Sequence, residues 1–286
     1  MRKVVSIVYL NGEYVPAIEA KVSVFDRGFL LGDGVYEVIP AYNGVLFRLD
    51  EHLERLQFSL DEIRLQNPHS KNQWKTLLSA LVEKNMAPDL SVYLQVTRGV
   101  AVRDHAFPDG VNATVFSMVN PISPLNQAYY ENGVAAITLD DNRWSRCNIK
   151  AISLLPNVLL RQQAVDQGVI EAILVRDDQV TEGAASNVFV VIDNVLITPP
   201  KSTHLLPGIT RDLIVELATN NGLAVAEKNI SLAELQTADE VWLTSSTKEI
   251  LPVTRLNDKS VGTGKPGKLW AEMTSIYGDF KASLYI

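Results

Sequence analysis

The chain has 286 residues, 47% apolar and 21% charged, which suits one large or two medium globular domains and excludes disorder, collagen-like repeats and a disulfide scaffold. Cys147 is the one cysteine, so no intrachain disulfide forms and a reducing compartment is favoured. With 26 Lys and Arg against 33 Asp and Glu, the net charge of −7 argues against nucleic acid and anionic lipid as partners, and no apolar run approaches the ~18 residues that span a bilayer.

Residues 4–10 and 13–15 flank Asn11-Gly12, a two-residue turn signal, and form a predicted hairpin. Met1-Arg2-Lys3 before that run has the faint outline of a signal peptide, but the apolar run is short and ends in the turn. A first strand and a cytoplasmic protein are therefore expected. Residues 35–42 and 45–48 around Asn43-Gly44 form a second hairpin. From 50 to 64, Leu53, Leu56, Leu60 and Ile63 recur at the period of an amphipathic helix, with Asp50 and Glu51 well placed at its start. A second helix covers 74–85, and strands follow at 91–97 and 113–119. The segment 120–125 carries Pro121 and Pro124 and is the linker candidate. Beyond it, strands are expected at 134–139, 171–175, 186–192, 195–198, 223–228 and 240–244, and helices at 156–168, 210–221 and 267–284. The order is α+β rather than a regular βαβ alternation.

Several motifs are absent: a P-loop, a complete G-x-G-x-x-G, a G-x-S-x-G elbow, a cysteine pair for zinc, and any short metal spacing among the four histidines. No metal is expected. Five constellations remain. Lys150, between Ile149 and Ala151, is either a partly desolvated Schiff-base nucleophile or a surface lysine at a strand end. Glu182, followed by Gly183-Ala184-Ala185-Ser186-Asn187, is either a carboxylate for a cofactor ring nitrogen or a turn glutamate. Leu206-Pro207-Gly208-Ile209-Thr210-Arg211 opens a helix with a Gly before and Thr210 at the cap, suited to a phosphate or to ordinary capping. Ser245 and Ser246, within a run of four hydroxyl residues after a strand, are phosphate ligands or a polar turn. Arg103 and His105 share a face if extended and could clamp a carboxylate, or belong to a solvated loop.

Taken in order, the motifs Asp26-Arg27-Gly28 with Gly32-Asp33-Gly34-Val35-Tyr36-Glu37, Glu51-His52 with Arg55, the segment ending in Lys150, Glu182-Gly183 with Ser186-Asn187, and Gly208-Ile209-Thr210-Arg211 resemble the fold-type IV pyridoxal-phosphate enzymes. The resemblance runs from Tyr9 to the last helix. Within that family the chain looks most like the D-amino-acid aminotransferases, through Arg103-x-His105 after Thr97-Arg98-Gly99 and through Tyr36.

The resemblance implies a two-domain α+β fold with the cofactor, pyridoxal 5'-phosphate, between the domains: 1–120 as the smaller N-terminal domain, 121–126 as linker, and 127–286 as the larger C-terminal domain carrying the cofactor lysine. It implies that Lys150 binds the cofactor and is the catalytic base, that Glu182 pairs with the pyridine nitrogen, and that Leu206 packs near the ring. Arg55, backbone at Ile209 and Thr210, and Ser245 and Ser246 would hold the phosphate. Tyr36, Arg103 and His105 would hold the substrate carboxylate. The implied activity is ping-pong transfer of an amino group from a D-amino acid such as D-alanine to a 2-oxo acid such as 2-oxoglutarate, by a cytoplasmic homodimer. Branched-chain L-amino-acid aminotransferase and aminodeoxychorismate lyase, which share the cofactor machinery, are the alternatives.

Overall fold

The computed structural model describes residues 7–85 and 87–284, so the expected first strand is described from Ile7 onward and residues 4–6 lie outside the described residues. The chain divides into two compact units, one of residues 1–123 with 149–154, the other of 124–148 with 155–286.

In the first unit, β1 (Ile7–Leu10) and β2 (Glu13–Pro16) form a hairpin through Asn11 and Gly12, both at positive φ (49° and 107°), the backbone that suits strand twist. The short helix α1 (Arg27–Leu31) precedes β3 (Gly34–Tyr42). β3 turns through Asn43 and Gly44 into β4 (Val45–Leu46). β4 is shorter than expected because Arg48 adopts φ 51° and starts α2 (Leu49–Glu62). A capping box of Ser70 and Gln73 opens α3 (Lys71–Glu83), which is followed by β5 (Asp89–Thr97) and β6 (Thr114–Pro121). Among the described residues these strands form a six-stranded sheet in the order β2-β1-β6-β5-β3-β4, antiparallel throughout.

The leucines of the expected helical stripe do face the core. Leu53, Leu56 and Leu60 of α2 and Leu77, Leu78 and Leu81 of α3 pack against Val35 and Ile39 of β3 and the alternate residues Leu90, Val92, Leu94 and Val96 of β5. Full burial of each such side chain contributes about 1.5–3 kcal/mol. On the opposite sheet face Tyr36 stacks on Tyr93, with ring centroids 5.6 Å apart.

The second unit opens with α4 (Gln127–Asn132), capped by Asn126, and β7 (Val134–Asp140). It continues through α5 (Leu155–Asp166), β8 (Glu171–Arg176), β9 (Gln179–Gly183), β10 (Asn187–Ile192), β11 (Val195–Thr198), α6 (Ile209–Asn220) and β12 (Val225–Glu227). The last elements are α7 (Leu232–Thr237), β13 (Glu240–Ser245), β14 (Glu249–Leu256), β15 (Lys259–Ser260) and α8 (Lys268–Ser283). Its nine strands among the described residues make a mixed sheet, β12-β11-β10-β13-β14-β7-β8-β9, with β15 paired to β14. The parallel pairs are β11 with β12, β14 with β7, and β7 with β8. The fold is α+β, as expected.

The division of the chain differs from the expectation at two places. Within the expected linker, Pro121 still pairs with Leu90 as the last residue of β6, and Asn126 already caps α4. The Lys150 segment, placed in the C-terminal domain by resemblance, folds with the first unit. Ala151 bridges Val35, Tyr36 N–H donates to Lys150 O at 2.9 Å, Ile152 N–H donates to Gly34 O at 3.1 Å, and Ile149 joins the first core. Gly34 permits this approach, since a Cβ there would meet Val96 O at 2.6 Å.

Candidate active site

In the first unit, α2 carries a polar row beside its leucine stripe: His52, Arg55 and Ser59 are all buried. Glu37, fully buried on β3, receives the first two. Arg55 donates from Nε to Glu37 Oε1 at 2.8 Å and from Nη2 to Oε2 at 2.7 Å, and His52 Nδ1 lies 2.8 Å from Oε2. Burial by itself would raise the Glu37 carboxyl, but the Arg55 charge and hydrogen bonds, with His52, hold it well below the carboxylate range. Burial likewise pushes the His52 imidazolium down, which favours the neutral ring. Ser59, one turn beyond Arg55, accepts the Lys150 backbone N–H at 3.2 Å. The Lys150 ammonium lies 4.1 Å from the centre of the Tyr36 ring. Lys150 is thus fixed by its backbone, half-buried, with its side chain against Tyr36. Of the first-unit site residues predicted from sequence, Lys150 meets Tyr36, and Arg55 meets Glu37, the neighbour of Tyr36 on β3.

Arg103 and His105 sit elsewhere, on an exposed loop, and among the described residues neither makes a hydrogen bond or ion pair. The loop itself is anchored. Arg27 Nη1 donates to Asp104 O at 2.6 Å, while Arg27 and Arg98 both pair with Asp33, at 2.7 and 2.8 Å. Arg98 also lies 3.7 Å above the Phe107 ring.

In the second unit the centre is Glu182, buried on β9. Arg143 Nη1 donates to its Oε1 at 2.5 Å. Leu206 N–H and the Asn187 side-chain amide donate to Oε2 at 3.0 and 3.2 Å. Burial pushes the Glu182 carboxyl up, Arg143 pulls it back, and the balance leaves it at about 7. Asn187 organises the remainder. Its amide also donates to Leu206 O at 2.8 Å, and it pairs in register with Thr244, so the run Thr244 to Thr247 begins beside it. Gly208 lies so close that any Cβ would collide with Asn187 Oδ1. Glu182, Leu206, the start of α6 and the Ser245-Ser246 turn therefore converge within one unit.

The α6 start differs from expectation in one detail. Gly208, not Thr210, is the N-cap, and no side chain caps it. Thr210 lies inside the first turn. The leading N–H groups of this 12-residue helix thus have no side-chain acceptor, and Thr244 Oγ1 is buried without a hydrogen-bond partner. An uncapped helix start beside hydroxyl residues, with a buried carboxylate nearby, fits a phosphorylated pyridine. The donor set suits pyridoxal phosphate.

Sequence inspection assigns no role to Glu37, Arg143 or Asn187. Glu37 and Asn187 stand inside the quoted motifs. Arg143 has only its proximity to Lys150 as a signal: one carboxylate partner, Asp141, is a near neighbour in the chain, but the other, Glu182, lies far along it. Among the described residues no cluster of three or more metal-ligating side chains occurs, and no helix is long and apolar enough to cross a membrane.

The chain has relatives of known kind. The family model described as amino-transferase class IV matches residues 34–256. A D-alanine aminotransferase of Bacillus licheniformis is 45% identical over 262 residues, covering 92% of each chain. One of Staphylococcus aureus (strain COL) is 40% identical over 271 residues, covering 93% of this chain and 94% of the relative. Among solved structures, a branched-chain amino acid aminotransferase from Escherichia coli superposes with a TM-score of 0.88 at 29% identity, covering 95% of this chain and 92% of that one. A T.th. branched-chain amino acid aminotransferase with pyridoxamine 5'-phosphate gives a TM-score of 0.89 at 25% identity, covering 97% and 94%.

Proposed function

We propose, from the premise that this chain belongs to the amino-transferase class IV family, that it transfers the amino group of a D-amino acid such as D-alanine to a 2-oxo acid such as 2-oxoglutarate, using pyridoxal 5'-phosphate. The observation that carries the chemistry is the buried Glu182 carboxylate held beside an uncapped helix start. The cofactor supplies an electron sink for the substrate's Cα. Glu182 holds a proton at the ring nitrogen. Backbone N–H groups of Ile209 and Thr210, with Ser245, Ser246 and Arg55, hold the phosphate, and Leu206 packs against the ring. The Lys150 amine takes the α-proton and returns it. Tyr36, Arg103 and His105 hold the α-carboxylate and so select which face of Cα is presented. Release of the first 2-oxo acid before the second binds gives ping-pong kinetics.

D-amino acids are supported over branched-chain L-amino acids by identity. The two D-alanine aminotransferases described above share 45% and 40%, whereas the two superposed branched-chain enzymes share 29% and 25%. We further propose a cytoplasmic homodimer. Its support is the set of exposed apolar side chains such as Phe25, Phe29 and Val102, available to a second copy.

The deciding experiment is the visible spectrum of the protein loaded with pyridoxal phosphate. D-alanine is expected to bleach the band and L-leucine to leave it. Bleaching by L-leucine alone transfers the protein to the branched-chain reading, and absence of a band refutes the cofactor. Arg103→Ala is expected to raise KM for D-alanine about tenfold or more with a smaller change in kcat, as for loss of a charged hydrogen-bond partner. An unchanged KM removes Arg103 from the carboxylate site.

A further inference from the structure

Glu182 does not face Arg143 alone. Asp141, the residue after β7, grips the same guanidinium from its other side. Arg143 Nε donates to Asp141 Oδ1 and Nη2 to Oδ2, both at 2.9 Å, and the Arg143 backbone N–H donates to Oδ1 at 3.1 Å. Thr181 Oγ1 donates to Asp141 Oδ2 at 2.9 Å. Arg176 Nη2 lies 3.2 Å from Asp141 Oδ1 and donates to Arg143 O at 2.8 Å. The groups about Glu182 are therefore the Arg143 guanidinium, the Asn187 amide and the Leu206 N–H, with the Asp141 carboxylate and then Arg176 beyond Arg143, and the Cys147 thiol nearby. Burial raises that thiol to about 11, so it stays uncharged in the working range.

We propose that Asp141 is a positioning residue for Glu182: it fixes the plane of the Arg143 guanidinium and supplies the second negative charge, so that Glu182 keeps the proton affinity its partner nitrogen requires. The inference rests on the reading that Glu182 serves a pyridine nitrogen. Arg143 acting on Glu182 alone would make it a weak base. Shared between two carboxylates, its charge is divided, and Arg176 on the far side of Asp141 completes a neutral quartet. The geometry is built for sharing, because the fork of Arg143 is committed to Asp141 through two nitrogens and to Glu182 through the third. Burial limits the ability of solvent to screen the arrangement.

The test uses two substitutions of opposite sign. Asp141→Asn keeps the side-chain size and an acceptor for Arg143 Nε, but removes one negative charge. Arg176→Gln removes one positive charge without touching Glu182. The titration midpoint of Glu182 is followed by its carboxyl ¹³C shift in the full-length protein without added cofactor, the resonance being assigned by its loss in Glu182→Gln. The midpoint is expected to fall by about one pH unit in Asp141→Asn, a tenfold change in proton affinity, and to rise in Arg176→Gln. In the loaded enzyme Asp141→Asn is expected to lower kcat about tenfold with KM for D-alanine within about twofold.

Unmoved midpoints overturn the proposal. So does a moved midpoint with unchanged kcat. Should Asp141→Asn fail to fold, the sign of the shift in Arg176→Gln decides. A wild-type protein without transaminase activity but with both midpoints moved refutes the proposed function while leaving the charge balance standing.

Discussion

Lys150→Ala is expected to lower kcat for D-alanine by at least about 10³-fold, because one amine both binds the cofactor and carries the α-proton. The fold is expected to survive. What ties this segment to the first unit is backbone: Tyr36 N–H to Lys150 O at 2.9 Å, and Lys150 N–H to Ser59 Oγ at 3.2 Å. The side chain adds only its contact with the Tyr36 ring, worth about 0.5–1 kcal/mol for such a pair. Circular dichroism and thermal unfolding should therefore change little while turnover collapses. Near-normal turnover in the folded variant refutes the assignment of Lys150. A variant that does not fold would instead show that the Tyr36 contact matters to the unit.

Glu37→Gln is expected to cost about 3–5 kcal/mol of stability at pH 7, the range for breaking a buried ion pair by removing one partner. The substituted amide would retain a similar shape but remove the buried negative charge that faces both the Arg55 guanidinium and His52. Urea unfolding of the two proteins measures the difference, and a loss under about 1 kcal/mol refutes the role given to this carboxylate. Glu54→Gln is the control. Its partner Lys71, at 3.2 Å, is exposed, so no measurable change is expected.

The pH dependence has a definite sign. A carboxyl held below its ordinary value stabilises the fold fully above the unfolded pKa of ~4.3, and that contribution is lost progressively as pH falls from there through the lower folded value. The gap between wild type and Glu37→Gln should stay constant from about pH 7 to 8, above the range where His52 contributes, and narrow as pH falls below ~4.3. His52, with its folded pKa lowered, adds a loss of stability in the wild type that begins as pH falls below ~6.5.

Much of the local structure was legible in the sequence because short-range physics decides it. The Asn11-Gly12 and Asn43-Gly44 turns rest on residues that tolerate positive φ, and the leucine period of α2 points to the buried face it takes. Two further turns of the same kind, Asp177-Asp178 and Asn257-Asp258, have positive φ at both residues and escape the sequence reading. Their aspartate and asparagine pairs carry the same signal more weakly than Asn-Gly. Helix-start chemistry pointed to the opening of α6, with the cap misplaced from Gly208 to Thr210. Only the close approach of Asn187 requires a glycine at the cap, and that neighbour is distant in the chain.

By itself, then, the sequence determined the α+β class, the hairpins and amphipathic helices, and the ordered motifs that place the chain among the aminotransferases. Each depends on residues within a few positions of one another, or on a pattern of residue types. The tertiary structure alone decided which charges meet. Glu37 binds His52 and Arg55, Arg143 reaches Glu182 beyond its near neighbour Asp141, and the Lys150 segment folds with the first unit through β3. A buried charge needs a partner, but its identity is set by packing that brings together residues far apart in the chain, and no local pattern encodes that choice.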